Sequence, residues 1–305
     1  MLFLPPITSI LIIMIMALLA MAFFTLLERK ILGYIQLRKG PNKVGILGLL
    51  QPFADALKLF SKELKYPIIS NFAPLVFAPM LSLFLALSLW ALLPLSFNSS
   101  TLSLGIIMFL CISSLNVYAI LGAGWTSNSK YALLGALRAI AQTISYEVSM
   151  ALILIGPLLI MRSFNLAKFL ESPKFLFIML LIPFVIWLTT LLAETNRTPF
   201  DFAEGESELV SGFNTEYSSG IFALIFMAEY ASIIIMSFLT ALIFFPTSFI
   251  NIFTPPLIGL LIGMFVIWAR GTLPRIRYDQ LMKLTWKTFL PLSLAILMLI
   301  SSTTI

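Results

Sequence analysis

The sequence predicts an all-α membrane protein that crosses the bilayer about eight times. Of its 305 residues, 60% are hydrophobic and only 10% are charged, whereas soluble proteins carry about 25% charged residues. Its apolar runs repeatedly approach the roughly 20 residues that a helix needs to cross the hydrocarbon core of a bilayer. These observations exclude a water-soluble fold and predict a single membrane domain over residues 1–305.

Eight apolar runs are long enough, or nearly so, to be predicted as spans, and the ends of the last two are the least well defined. The predicted spans are residues 7–27, 72–97, 102–121, 142–161, 175–192, 221–245, 252–268 and 288–301. The first run leads directly into Glu28 and has no positively charged segment before it. We therefore interpret it as the first span rather than as a leader peptide.

The basic residues predict the orientation in the membrane. The loops at 28–71, 122–141, 193–220 and 269–287 carry 8, 2, 1 and 5 of the 19 Lys and Arg residues. Basic loops remain in the inner compartment, so these four loops should share the inner face and the N-terminus should lie outside. Two interpretations remain open: the basic residues only set the orientation, or the loops, which are longer and more mixed in charge than orientation requires, form a surface that meets other molecules.

The first inner loop should contain a short amphipathic helix that begins near Pro52. Its apolar residues recur at helical spacing and its charged residues occupy the other face. The apolar residues are Phe53, Ala56, Leu57 and Phe60, and the charged residues are Asp55, Lys58 and Lys62. Two interpretations remain open: an interfacial anchor, or the wall of a crevice, with Arg29 and Arg38 nearby, through which an apolar ligand leaves the bilayer.

Two carboxylates lie within predicted spans. Glu147 is in the fourth span and Glu229 is in the sixth, and both spans begin at the inner face, so the two acids should lie at similar depths. An acid in mid-bilayer costs about 2.5–3.5 kcal/mol to insert, and such residues usually mark an ion or proton path. The alternative is that both are neutral and serve as hydrogen-bonding contacts between helices.

The loop between the fifth and sixth spans, which we call the acidic loop (residues 194–217), combines carboxylates with apolar residues. It has one cation, Arg197, and its aromatic residues, together with Leu209 and Val210, should be buried. Crowded, half-buried carboxylates favour proton relay because each raises the pKa of its neighbours. The acids are Glu194, Asp201, Glu204, Glu206, Glu208 and Glu216, and the aromatic residues are Phe200, Phe202 and Phe213.

The chain has no His and one Cys, Cys111. It therefore cannot supply by itself the usual ligands of haem, an iron–sulfur cluster, copper or structural zinc. We expect no metal, haem or flavin to be bound by this chain, and any redox centre should belong to a partner. Cys111 should pack as a small buried apolar side chain.

Several motifs together carry a resemblance to a known family. They are Glu28-Arg29-Lys30, residues 36–42, Gly48 to Pro52, residues 124–147, the acidic loop, and Pro274 to Gln280. In the same order along almost the whole chain, they closely resemble the family of subunit 1 of the membrane arm of respiratory complex I, NADH:ubiquinone oxidoreductase. The chain is short and has no N-terminal extension, and in both respects it resembles the mitochondrially encoded form of this subunit more than a bacterial form. Residues 162–174 and the C-terminus match no motif.

The resemblance implies an eight-helix subunit of the inner mitochondrial membrane, with the N-terminus in the intermembrane space and the large loops facing the matrix. Members of the family join the membrane arm to the hydrophilic arm. With the subunit that carries the terminal iron–sulfur cluster and its quinone-binding neighbour, they form a chamber for ubiquinone. Other membrane-arm subunits and the lipid bilayer are the remaining expected partners, and no nucleic acid is expected.

The resemblance also implies roles for individual residues, and none of them is directly catalytic. Arg29, Arg38, Asp55, Phe200, Arg275 and Arg277 match the quinone chamber or its docking surface. A second set matches the acids that lead from that chamber toward the centre of the membrane. This set is Glu147, Glu194, Asp201, Glu204, Glu206, Glu208, Glu216 and Glu229.

Two other classes of function share some of these features. A stand-alone ion-coupled transporter would also use buried acids, but the sequence has no internal repeat and no matching pair of interrupted helices. A purely structural anchor would explain the charged inner face but not two acids within separate spans. We therefore expect a subunit that couples quinone reduction to proton translocation.

Overall fold

The protein is almost entirely helical in the computed structural model, which describes residues 4–94, 103–171, 176–205, 208, 210–245 and 254–304. Twelve α-helices are numbered here in chain order within these ranges. They are α1 (Leu4–Ile35), α2 (Gln51–Ser61), α3 (Phe72–Trp90), α4 (Gly105–Thr126), α5 (Lys130–Met161), α6 (Leu166–Glu171), α7 (Leu176–Met179), α8 (Leu181–Glu194), α9 (Ser219–Phe244), α10 (Thr254–Thr272), α11 (Tyr278–Lys283) and α12 (Leu290–Thr304).

Short non-α segments complete this helical chain. Two 3₁₀-helices, Ile46–Gly48 and Gly212–Glu216, lie before α2 and before α9. A π-helical segment, Leu284–Phe289, joins α11 to α12 without a break. The described residues contain no strand. The predicted all-α class is therefore confirmed.

Seven helices within the described residues are long and apolar enough to cross a membrane. The predicted fifth span is formed instead by α7 and the 14-residue α8, with a break in helical geometry at Leu180. A 14-residue helix is about 21 Å long, shorter than the hydrocarbon core. The predicted count of eight spans is therefore approximate, because the fifth span is two short helices and not one long one.

Several helices continue beyond the apolar runs that were predicted as spans, so the loops between helices are shorter than predicted. The helix predicted to begin at residue 142 begins at Lys130, so the predicted loop 122–141 shrinks to the turn between α4 and α5. The predicted loop 269–287 is likewise reduced to residues 273–277, between α10 and α11. Hydropathy locates contact with lipid, whereas backbone hydrogen bonding extends a helix into polar surroundings.

Helix α9 is central to the packing. It contacts α3, α10 and α1, and its first turn also meets the amphipathic α2. A second group is built on α5, which packs against α4, α8 and α12. The acidic loop starts at the end of α8 and ends at the start of α9, so it connects the two groups.

The amphipathic helix predicted in the first loop is α2. Pro52 occupies its first turn, where a missing backbone N–H costs nothing, and is buried. Phe53 packs edge-on against Phe23 of α1 with ring centroids 5.9 Å apart. Leu57 and Phe60 are exposed, as expected for an apolar face directed at lipid.

Two predictions of burial are wrong. Cys111 is exposed on the surface of α4 rather than buried, because it lies on the side of that helix away from its packed neighbours. Val210 is 73% exposed, whereas Phe200, Phe202 and Phe213 are buried as predicted. Leu209 lies outside the described residues.

Candidate functional site

The acidic loop is folded against the N-terminal half of α5. The Gln142 side chain, fully buried, donates hydrogen bonds from Nε2 to the carbonyl oxygens of Ala193 and Phe200, each at 2.8 Å. Gly135 of α5 lies against the backbone of Gly212. A Cβ added at Gly135 would be 3.0 Å from the Gly212 Cα. Helix α5 is therefore the support on which the loop is positioned.

The end of the loop is attached to α4. The buried Tyr217 hydroxyl donates a hydrogen bond to the Ala123 carbonyl oxygen at 3.1 Å. Burial raises the pKa of Tyr217 to about 12, so the phenol stays protonated near neutral pH. Both ends of the loop are therefore held by neutral hydrogen bonds to membrane helices.

Asp201 is the least exposed of the loop acids that the structure describes. Arg275 Nη2 donates to Asp201 Oδ2 at 3.0 Å, and the backbone N–H of Glu204 faces the other carboxylate oxygen at 3.3 Å. The Glu204 carboxylate in turn accepts a long hydrogen bond, 3.4 Å, from Asn214. The segment before α11 therefore contacts the loop directly through an ion pair that is mostly buried.

A cavity of about 60 Å³ separates α3, α4, α8 and α9. Glu194 and Glu229 both line it, with Ser82, Ser113 and Asn116 contributing further polar groups. A cavity needs about 10–15 Å³ to hold one water molecule, so this one has room for several. Polar groups and water can therefore connect the two acids in an otherwise apolar region.

The acids form an electrostatically connected series. Half-buried Glu147 of α5 acts on Glu194, Glu194 shares the cavity with Glu229, and Glu229 is influenced by Glu204 and Asp201. Because α5 begins at Lys130, Glu147 lies farther from the start of its helix than Glu229 does in α9, and the similar depth of the two acids stays a prediction. The series itself links three membrane helices to the loop.

Two of the three remaining predicted acids are described by the structure, and neither is among the groups of this series. Glu208 forms an ion pair with Arg138 at the surface. Glu216 is half-buried at the end of its 3₁₀-helix, and no hydrogen bond of its carboxylate is seen among the described residues. Glu206 lies outside the described residues. Their assignment to a proton path stays a prediction.

The residues predicted for a quinone chamber or docking surface occupy several places. Arg29 of α1 and Asp55 of α2 form a 2.6 Å ion pair, whereas the exposed Arg38 side chain donates a hydrogen bond to nearby Gln36. Phe200 is buried, with its ring 5.6 Å from that of Tyr146. Arg275 binds Asp201, and exposed Arg277 pairs with Asp279 at 3.2 Å. The structure thus pairs Arg29 with Asp55 directly, and it places Arg275 against the segment of Phe200, where the Ile276 N–H donates to the Pro199 carbonyl oxygen at 3.1 Å.

A buried ion cluster was missed by sequence reasoning. Glu28 of α1 accepts hydrogen bonds from Arg197 at 3.0 Å, from Arg270, and from the Tyr230 hydroxyl at 2.6 Å. The Arg197 guanidinium also lies over the Tyr230 ring, 4.8 Å from its centroid. We call these four residues the Glu28 cluster. Two features of the sequence point to this cluster. Arg197 is the single cation of the acidic loop, and Glu28 lies at the end of an apolar run.

The described residues contain no group of three or more His, Cys, Asp or Glu side chains placed to hold a metal ion. The polar side chains of the acidic loop and of the helices around it are mainly carboxylates, guanidiniums and amides. This arrangement is suited to holding and moving protons.

A sequence model described as NADH dehydrogenase matches residues 8–301. The chain belongs to the NADH dehydrogenase family. It is 56% identical over 286 residues to NADH-ubiquinone oxidoreductase chain 1 of Aedes aegypti, covering 93% of this chain and 91% of that protein. The chain 1 protein of Hylobates lar is 54% identical over 304 residues, covering 96% and 95%. The resemblance carried by the motifs is confirmed.

Proposed function

We propose that this chain, a subunit of NADH:ubiquinone oxidoreductase, forms part of the ubiquinone chamber and couples quinone reduction to proton translocation. The observation that carries the proposal is the series from Glu147 through Glu194 and Glu229 to Asp201 and Glu204. It begins in a membrane helix and ends in a loop tied to Arg275. Quinone reduction beside that loop would change the charge that these acids experience.

The wider setting follows from the family. The chain is a multi-pass protein of the inner mitochondrial membrane, consistent with its seven long apolar helices within the described residues. We infer from the basic residues that its large loops face the matrix and its N-terminus faces the intermembrane space. Ubiquinone is the substrate, shared with the hydrophilic subunits that carry the terminal iron–sulfur cluster and the neighbouring quinone-binding fold.

Family membership makes a stand-alone transporter the weaker explanation of the cavity and its acids. Both classes of protein use intramembrane carboxylates. Chains of 54–56% identity that cover more than nine-tenths of this one are named as chain 1 of the respiratory enzyme. A structural anchor alone would not require acids around an internal cavity.

The proposed proton path is tested by Glu147→Gln in the assembled enzyme. The amide keeps the size of the side chain but cannot release or accept the proton, so proton pumping and coupled quinone reduction should both fall at least about tenfold, which corresponds to about 1.4 kcal/mol. Pumping is measured by pH-sensitive dye in sealed membranes, and quinone reduction by NADH oxidation.

The matched control is Asp279→Asn, which removes an acid outside the proposed path that is paired at the surface with Arg277. It should leave both rates within about twofold of wild type, since exposed ion pairs contribute little. Unchanged pumping and unchanged quinone reduction in Glu147→Gln would contradict the path.

The chamber assignment is tested by Asp55→Asn, which removes the partner of Arg29 between α1 and α2. The pair is substantially exposed, so its loss should change stability by less than about 1 kcal/mol. If this pair lines the entrance, the apparent KM for a short-chain ubiquinone should rise several-fold while assembly is normal.

Asp279→Asn is the control for that variant because the Arg277–Asp279 pair is also exposed. It should leave the KM for quinone unaltered. An unaltered KM in Asp55→Asn as well would remove the Arg29–Asp55 pair from the chamber.

A further inference from the structure

The Glu28 cluster joins four separate elements at one buried point. Glu28 comes from α1, Arg197 from the acidic loop, Tyr230 from α9 and Arg270 from α10. The Glu28 side chain is only 5% exposed and that of Arg197 only 10%. No other ion pair among the described residues has both partners so completely buried.

The cluster carries a net positive charge. One carboxylate faces two guanidiniums, and the phenol of Tyr230 contributes a neutral hydrogen bond. Burial lowers the pKa of Arg197, but the adjacent Glu28 carboxylate more than offsets this, so the pKa lies above its ordinary value and the guanidinium stays charged. Glu28 therefore neutralises one of the two arginines, and a net charge of one remains.

Glu229 lies beside this charge. It precedes Tyr230 in α9, and the cavity that it lines is also lined by Asn196, the chain neighbour of Arg197. Arg197 and Arg270 both act on it electrostatically. Opposing them are the negative charges of Asp201 and Glu204. Asp201 is itself paired with Arg275.

The other elements around Glu229 add one further acid. Glu194 at the end of α8 shares the cavity, and the polar groups that α3 and α4 contribute, Ser82, Ser113 and Asn116, carry no charge. The first turn of α9 also packs near α2, where the Phe60 ring lies close to Gly220 and carries no charge. The charge environment of Glu229 is therefore a balance between the Glu28 cluster and the acids of the loop.

We propose that the Glu28 cluster is a positioning element whose net positive charge sets how readily Glu229 releases its proton. The cluster does not carry protons itself. It favours the ionised form of Glu229, and the acids of the loop oppose it, so a change at the loop can move Glu229 between its two forms. This inference rests on the proposed function and adds the group that regulates the central acid of the path.

The test alters the charge of the cluster in both directions. Glu28→Gln raises its net charge by one and should lower the pH at which Glu229 releases its proton by about one unit. Arg270→Gln removes one positive charge and should raise that pH by about the same amount. Opposite shifts from two variants of one cluster are not expected from a packing defect.

The readout is infrared difference spectroscopy of the purified, assembled enzyme over a range of pH. The carbonyl stretch of protonated Glu229 is identified as the band that Glu229→Gln removes. Tyr230→Phe is the matched control, since it deletes a hydrogen bond to Glu28 without changing the charge of the cluster. It should shift the titration much less than Glu28→Gln does.

A charge-compensated variant covers the case in which Glu28→Gln does not assemble. The double variant Glu28→Gln with Arg270→Gln restores the net charge of one and should return the titration of Glu229 to within a few tenths of a unit of wild type. Shifts in the same direction from both single variants, or an equal shift from Tyr230→Phe, would overturn the inference.

The outcomes also separate this inference from the proposed function. If Glu147→Gln abolishes pumping and the Glu229 band does not move in the cluster variants, the path stands and the cluster has no regulatory role. If the band moves as expected while Glu147→Gln pumps normally, the electrostatic role stands and the proton path is wrong.

Discussion

Replacing Gly212 with alanine should prevent the subunit from entering the assembled enzyme. Gly212 has a φ of +56°, and an added Cβ would lie 1.8 Å from the carbonyl oxygen of Ala203 and 2.9 Å from that of Glu204. Both obstacles are backbone atoms of the acidic loop, and Ala203 is fully buried, so neither can move without unpacking the loop. With the penalty for positive φ added, we expect a cost above about 4 kcal/mol.

The measurement is the amount of assembled enzyme on native gels. Gly220→Ala is the matched control, eight positions later in α9, where the new methyl group would make an ordinary 3.4 Å contact with the Phe60 ring. Alanine is also the better helix former by about 1 kcal/mol. Near-normal assembly of the Gly212 variant would show that the tight turn at this residue is not required.

The second large effect is expected for Gln142→Leu. Leucine fills a similar volume but cannot donate to the carbonyl oxygens of Ala193 and Phe200, which both accept from Gln142 at 2.8 Å. Each buried acceptor left unpaired costs about 1–3 kcal/mol. The Gln142 Oε1 atom is itself buried without a partner, so its removal offsets part of the loss.

We expect this variant to release the acidic loop from α5 without unfolding the helices. Amide hydrogen exchange in residues 194–217 should accelerate by at least about tenfold, the equivalent of about 1.4 kcal/mol, and coupled quinone reduction should fall with it.

Ser145→Ala is the control for Gln142→Leu, because this serine is equally buried in α5 but donates to the Gln142 carbonyl of its own helix. It should leave exchange in the loop unaltered. Unaltered exchange in Gln142→Leu would mean that other contacts hold the loop.

Local physics explains why so much of the architecture could be predicted. Apolar composition and run length identify the membrane helices, and helical spacing after Pro52 identifies α2, because both depend on residues close together in the chain. The boundaries were less predictable. Lys130 to Ile140 of α5 carries charges and small residues that hydropathy reads as a loop, yet it is helical because it packs under the acidic loop.

The residue types needed for proton chemistry were also evident from the sequence. A chain without His, with Glu147 and Glu229 inside apolar runs and six acids in one loop, indicates carboxylate chemistry before any packing is known. Which of these acids meet was not evident. Glu194 and Glu229 share a cavity, whereas Glu208 pairs with Arg138 at the surface.

The sequence by itself therefore determined that this protein resides in a membrane, roughly where its helices lie along the chain, and that its acids are concentrated within apolar runs and in one loop. Only the tertiary structure decided that Glu28 would be paired with Arg197, 169 positions away, and with Arg270, 242 positions away. Hydrophobic partitioning is a sum over neighbouring residues, but a buried ion cluster exists only when separate helices pack close enough to satisfy it. No pattern within a single segment contains that information.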